Sequence, residues 1–91
     1  MLEKVIEKKL VRVVKENGGL CIKMASMYYK GIPDRLILTA DGRLMFVETK
    51  RPGEQLRPEQ VAWQKKLQGM KFKAVMIDSV ENLEAIKSFL R

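Results

Sequence analysis

Asp34, Glu48 and Lys50 are the side chains of this sequence whose types and spacing point to chemistry. Two carboxylates held together make a seat for a hard divalent cation. Mg²⁺ and similar ions prefer oxygen donors and leave part of their shell to water and substrate phosphate. Such an ion lowers the pKa of a bound water and offsets charge building on a phosphate, while a nearby lysine orients the nucleophile or shares that charge. The outline is that of a phosphodiesterase site. A lone Glu-x-Lys says almost nothing, so the case depends on whether the fold brings Asp34 to Glu48 and Lys50.

Two short apolar runs, residues 31–38 and 44–50, flank Thr39-Ala40-Asp41-Gly42-Arg43, and Asp-Gly between such runs is a hairpin signal. A three-residue loop of Ala40, Asp41 and Gly42, with Gly42 left-handed, sets Thr39 opposite Arg43 and, counting outward, Asp34 opposite Glu48. Alternation then turns Lys50 to the side of Glu48. A two-residue loop at Asp41-Gly42 instead pairs Asp34 with Thr49 and turns it to the other face, so the site stands or falls with the register.

Around the hairpin, Leu2, Ile6, Leu10, Val13 and Val14 recur at helical spacing and predict an amphipathic first helix closed by Asn17-Gly18. Lys4, Lys8, Arg12 and Lys15 occupy its opposite side. Glu3 and Glu7 fall at the border of the apolar stripe, where a carboxylate reaches toward a site beside the core. Helix-surface ion pairing serves them poorly: of the bases, only Lys4, three residues before Glu7, is within reach. Glu3 falls in a turn expected to fray. Residues 19–24 read as a strand and 25–31 as a loop running into Pro33, which favours an extended Ile32. In that loop Tyr28, Tyr29 and Lys30 are candidates to stack on or contact a nucleic-acid backbone, though covering the end of the sheet explains the tyrosines equally well.

A polar loop, 51–57, follows Lys50 directly. Arg51 and Arg57 are its candidates for phosphate contact, with solvated surface charge as the competing account. Pro58 opens a helix over 58–68, with Gln60, Trp63, Gln64 and Leu67 along one side. A glutamine among apolar neighbours needs a partner, and the tryptophan reads as core before base platform. Gly69 ends that helix, 72–77 reads as a strand, and Asp78 or Ser79 caps a last helix with Val80, Leu83, Ile86, Phe89 and Leu90 as its buried stripe. A strand, a crossover helix and a returning strand predict a parallel step in the sheet, hence an α/β fold.

Length and composition bound the rest. Ninety-one residues suit one domain, 1–91, with no repeat or linker, and 46% hydrophobic with 32% charged residues fits a soluble globular chain. A net charge of +7 suits a polyphosphate partner. With Cys21 as the sole cysteine an internal disulfide is excluded, the lack of histidine argues against a structural zinc site, and Cys21 reads as a small buried hydrophobe. The absence of a long apolar run predicts neither a signal peptide nor a membrane span, and a reducing intracellular setting.

Ile6-Glu7, Gly18-Gly19, Gly31-Ile32-Pro33-Asp34, Phe46-Val47-Glu48-Thr49-Lys50 and Pro58-Glu59-Gln60 occur together in this order across nearly the whole chain. The set resembles the PD-(D/E)xK nuclease superfamily and, more narrowly, the VRR-NUC family, which includes short stand-alone members. The resemblance implies a single-domain restriction-endonuclease-like core in the order α-β-β-β-α-β-α, a mixed sheet flanked by helices. It implies a metal-dependent DNA endonuclease in which Asp34, Glu48 and the Thr49 backbone carbonyl hold Mg²⁺ or Mn²⁺. Glu7 would bind a second ion or its water, Lys50 would position the attacking hydroxide, and Gln60 would pack against and orient the site. It further implies DNA as partner, with branched forms such as Holliday junctions, a homodimer, no small-molecule cofactor, and the cytoplasm of a bacterial or phage-infected cell. Two alternatives stand beside it: a non-catalytic basic module that binds nucleic acid, and a small domain whose basic patch meets an acidic protein. Mg²⁺-dependent strand scission separates the first reading from both, and steep salt dependence of binding separates the second from the third.

Overall fold

The structure, a computed structural model, describes residues 2–24 and 28–91. Helical periodicity at the start becomes α1, Glu3–Glu16, with Ile6, Leu10, Val13 and Val14 buried, while Leu2 lies outside the helix and exposed. Strands β1, Leu20–Lys23, β2, Arg35–Leu38, and β3, Leu44–Thr49, follow, then helix α2, Pro58–Gly69, strand β4, Lys73–Ile77, and helix α3, Val80–Leu90. The order is the expected α-β-β-β-α-β-α. Strand ends are shorter than the apolar runs that announce them, because pairing stops where the partner strand stops. Ser79, not Asp78, caps α3, its hydroxyl accepting the Asn82 N–H at 3.1 Å. Val80, expected in the buried stripe of α3, is exposed at the first residue of that helix.

The four strands lie in the order β1-β2-β3-β4. The first three pair antiparallel and β4 joins β3 in parallel, the crossover being α2. One side of the sheet, carrying Ile37, Met45, Val47 and Ile77, is closed by α1 and α3 through Ile6, Leu10, Val14, Leu83, Ile86 and Leu90. Cys21 and Val75 pack against this cluster half-buried, and burial pushes the Cys21 thiol pKa up. Helix α2 lies on β4 instead, where Leu67 and Ala74 are buried outside that cluster. Its glutamines tie it down: Gln64 Nε2 donates to the Val75 carbonyl at 3.2 Å and Gln68 Nε2 to that of Ala74 at 2.8 Å. Among the described residues, no helix is long and apolar enough to cross a membrane.

Candidate active site

The hairpin adopts the three-residue loop. Thr39 N–H donates to the Arg43 carbonyl at 2.8 Å, Gly42 N–H donates to that of Thr39 at 3.2 Å, and Gly42 sits at φ +87°. Asp41 takes hydrogen bonds from the Thr39 hydroxyl and from Arg43 Nε, which pin the turn from the side and hold its carboxyl below the usual range. The strands pair from Leu38↔Leu44 outward to Arg35↔Val47, and the next step sets Asp34 opposite Glu48.

At that step the ladder ends on a proline. Continuing the register once more brings Pro33 opposite Thr49, and a proline has no N–H to give, so the Thr49 carbonyl gains no donor from it. The Asp34 carboxylate folds back into this gap: Oδ1 accepts the Thr49 N–H at 3.2 Å and Oδ2 accepts the Thr49 hydroxyl at 2.8 Å. Asp34 is thus oriented by a single residue of β3. Glu48, Thr49 and Lys50 are 6%, 0% and 7% exposed, so one acid and one amine are buried at the end of a strand whose Met45 and Val47 belong to the core. Lys50 is fixed at both ends, its N–H donating to the Ile77 carbonyl at 2.9 Å and its Nζ lying 3.3 Å from Glu54.

Burial pushes the Glu48 carboxyl up to about 7, the Asp34 and Glu3 charges add to the rise, and Lys50 and Arg57 oppose it. Asp34 is also raised by burial, with Glu7 adding, against the two hydrogen bonds from Thr49. Two carboxylates that resist ionisation, next to a backbone carbonyl short of a ladder donor, form a donor set that a divalent cation would satisfy. Among the described residues, no three acids, cysteines or histidines approach closely enough to enclose an ion by themselves.

Glu7 has a partner no helical spacing suggested. Its carboxylate lies 3.2 Å from Nε of Arg35, and both side chains are largely buried. Arg35 alternates with Ile37 onto the closed side of the sheet, and a guanidinium pointing into a core demands an acid. That demand is the signal by which the pair could have been found. Glu3, expected to fray, is half-buried in the first turn of α1, and its charge reaches Glu48. Gln60 is buried, and its Oε1 accepts the Arg57 N–H at 2.8 Å, so the partner it needs is the start of its own helix. Glu54, four residues after Lys50, went unremarked in the sequence. It receives Lys50 and Arg51, whose hydrogen bonds keep its carboxyl below the usual range.

The expected nucleic-acid contacts sit on two loops that meet at the start of α2. Arg51 and Arg57 are exposed, each within 3.5 Å of an acid, Glu54 and Glu59 respectively. Lys30 is exposed with Nζ 3.9 Å from Glu59, while its carbonyl accepts the Trp63 indole N–H at 3.1 Å. Tyr29 meets the Trp63 ring edge-on at 5.8 Å, and Tyr28 is 90% exposed beside it. Trp63 therefore anchors this loop and is not part of the main core. Gly31, at φ +90°, lets the loop cross α2 so closely that a Cβ would stand 2.7 Å from the Glu59 carbonyl. The rest of that loop, 25–27, lies outside the described residues.

The VRR-NUC domain family matches residues 4–81. The chain belongs to the VRR-NUC family. Protein p44 of Acyrthosiphon pisum secondary endosymbiont phage 1, which carries the provisional name of a nuclease, is 38% identical over 74 residues, covering 81% of this chain and 80% of that protein. A solved VRR-NUC domain superposes with a TM-score of 0.86 over 92% of this chain and 91% of its own, at 21% identity, which places the two in the same fold. The VRR-NUC match spans Glu7, Asp34, the strand from Leu44 to Thr49, Lys50 and Gln60 together.

Proposed function

We propose that this chain is a divalent-metal-dependent DNA endonuclease, acting in the cytoplasm of a bacterial or phage-infected cell. The observation that supports it most is the meeting of Asp34, half-buried, and Glu48, buried, across the hairpin, with Lys50 two residues beyond. Asp34, Glu48 and the Thr49 carbonyl would hold Mg²⁺ or Mn²⁺, with Glu7 behind them. Such an ion supplies an acidified water and neutralises charge on the scissile phosphate. The chain's own part is positional. Thr49 aims the Asp34 carboxylate through two hydrogen bonds, and the Lys50 ammonium, paired with Glu54, would position the attacking water and offset charge on the phosphate. Gln60 stiffens the start of α2 beside them, and Arg51, Arg57, Lys30 and the tyrosines rim the approach for the DNA backbone. A homodimer would set two such sites on the two strands of a branched junction.

Incubating the purified chain with linear, flapped and four-way DNA, with Mg²⁺, Mn²⁺ or EDTA, tests each level. Scission that needs the metal and is lost in Asp34→Ala and Lys50→Ala supports the nuclease, and preference for four-way DNA supports the junction. DNA binding that survives with no cleavage under any metal would leave the non-catalytic module.

A further inference from the structure

The cations around the candidate site are already answered by acids. Lys50 and Arg51 pair with Glu54 at 3.3 and 3.0 Å, and Arg57 and Lys30 with Glu59 at 3.5 and 3.9 Å. Much of the charge behind the excess of +7 stands instead on the outer side of α1. There Lys4, Lys8, Arg12 and Lys15 are exposed along successive turns, opposite the buried stripe of Ile6, Leu10, Val13 and Val14. Among the described residues, Lys4, Lys8, Lys9 and Lys15 have no carboxylate within 4 Å, and Arg12 meets only the exposed Glu16 at 3.7 Å. Lys8, Lys9 and Arg12, with Val5, surround a hollow of about 270 Å³ on the helix surface. Like charges four residues apart repel one another, so the row costs stability until an anion offsets it. It also starts beside the candidate site. Lys4 lies one turn from Glu7, which bonds Arg35, the neighbour of Asp34. The row ends at the far end of the sheet, where α1 leads into Leu20, paired with Leu38 beside the hairpin loop.

We infer that the outer face of α1 is a second DNA-binding surface, which holds the phosphate backbone of the duplex arm leading away from the Asp34–Glu48 end. It rests on DNA as the substrate in the nuclease reading, and not on the cleavage step. From Lys4 to Lys15 the helix rises about 16 Å, the length of about five base pairs along one strand of duplex. Bases spread over that length suit a chain of regularly spaced phosphates, whereas a single small anion fills only the hollow among Lys8, Lys9 and Arg12. Unpaired lysines exchange nothing but counterions for a phosphate, and the released ions drive binding. Arg51 and Arg57 each have a carboxylate to give up first, so α1 carries the affinity while the rim sets the position. An anionic membrane surface does not fit this helix. Its apolar side is spent on the core, with Ile6 and Leu10 at 1% and 0% exposed, and nothing is left to enter the lipid.

Fluorescence anisotropy of a labelled duplex of about 25 base pairs, titrated with the full chain in EDTA over about 50–200 mM salt, tests the assignment. The variant Lys4→Gln, Lys8→Gln, Lys15→Gln changes exposed positions to a residue that forms helix equally well. It is expected to lower the slope of log affinity against log salt by about 2–3, one unit per lost phosphate contact, and to weaken binding at least about tenfold. Arginine at the same three positions is expected to keep both. The control set Lys65→Gln, Lys71→Gln, Arg91→Gln removes equal charge from exposed residues away from α1 and is expected to move the slope by less than about one. With Mg²⁺, the α1 variant is expected to cut at an unchanged rate at saturating DNA with a raised KM. A slope and affinity untouched by the α1 substitutions, or lowered equally by the control set, overturn the surface and leave the nuclease. Binding that depends on these lysines, without scission under any metal, overturns the nuclease and leaves the surface. A chain that binds no DNA overturns both.

Discussion

Replacing Glu48 by glutamine should stabilise the metal-free protein at alkaline pH while removing the function that the acid serves. The glutamate carboxyl titrates near 4.5 when unperturbed and about 7 in the fold. Between those values the unfolded chain has released a proton that the native state still holds, so native stability falls as pH rises through this window and is fully present only below it. At ~1.4 kcal/mol for each pH unit of separation, the ionised carboxylate costs the native state about 3 kcal/mol at pH 8. Glutamine keeps the shape and stays neutral. Its second amide N–H needs a partner and offsets part of the gain, leaving about 2 kcal/mol. Urea titrations of both proteins in EDTA at pH 4 and pH 8 read this directly. Glu48→Gln should unfold at higher urea at pH 8, with the two midpoints converging at pH 4. In heat denaturation the pH 8 gap corresponds to on the order of 10 °C for a domain of this size. Divalent cation should narrow that gap by binding only the wild-type native state. If the variant is no more stable than the wild type at pH 8, or its advantage does not shrink on acidification, the account of Glu48 as a strained buried acid is wrong.

Thr49→Val keeps the volume and the backbone N–H but removes the hydroxyl at 2.8 Å from Asp34. It should slow cleavage about tenfold and cost the metal-free fold about 1–2 kcal/mol, as for one buried hydrogen bond to a carboxylate, and Thr49→Ser should restore most of both. A double-mutant cycle on Glu7→Gln and Arg35→Gln should give a coupling of about 1–3 kcal/mol in stability, because the pair is largely buried. If Glu7 also serves the metal, Glu7→Gln will depress cleavage well beyond Arg35→Gln at matched stability. Gly31→Ala should cost about 2–3 kcal/mol, since a Cβ there strikes the α2 backbone as well as occupying φ +90°. Gly42→Ala, at φ +87° with nothing within 4 Å, should cost only about 1 kcal/mol, and equal losses at the two glycines would contradict the steric argument.

The catalytic candidates were legible in the sequence because their placement is local. An Asp-Gly loop closes a hairpin within a dozen residues but leaves two registers open, and the three-residue loop the structure adopts, with Gly42 left-handed, brings Asp34 opposite Glu48. The helices were legible for the same reason, since a period of 3.6 residues is written along one segment. What the tertiary structure alone decided is everything that depends on which layer meets which. Glu7 meets Arg35 only because α1 lies across β2, and Gln60 spends its carbonyl on the Arg57 N–H. Trp63 leaves the core to hold the Lys30 carbonyl, where Gly31 crosses α2. The apolar faces of β1, β2 and β3 look alike from both sides in sequence, since alternating hydrophobes carry no mark of the helix that will cover them. Only the packing of three helices onto four strands determines which face of the sheet carries the core, because that choice is made by contacts between segments far apart in the chain.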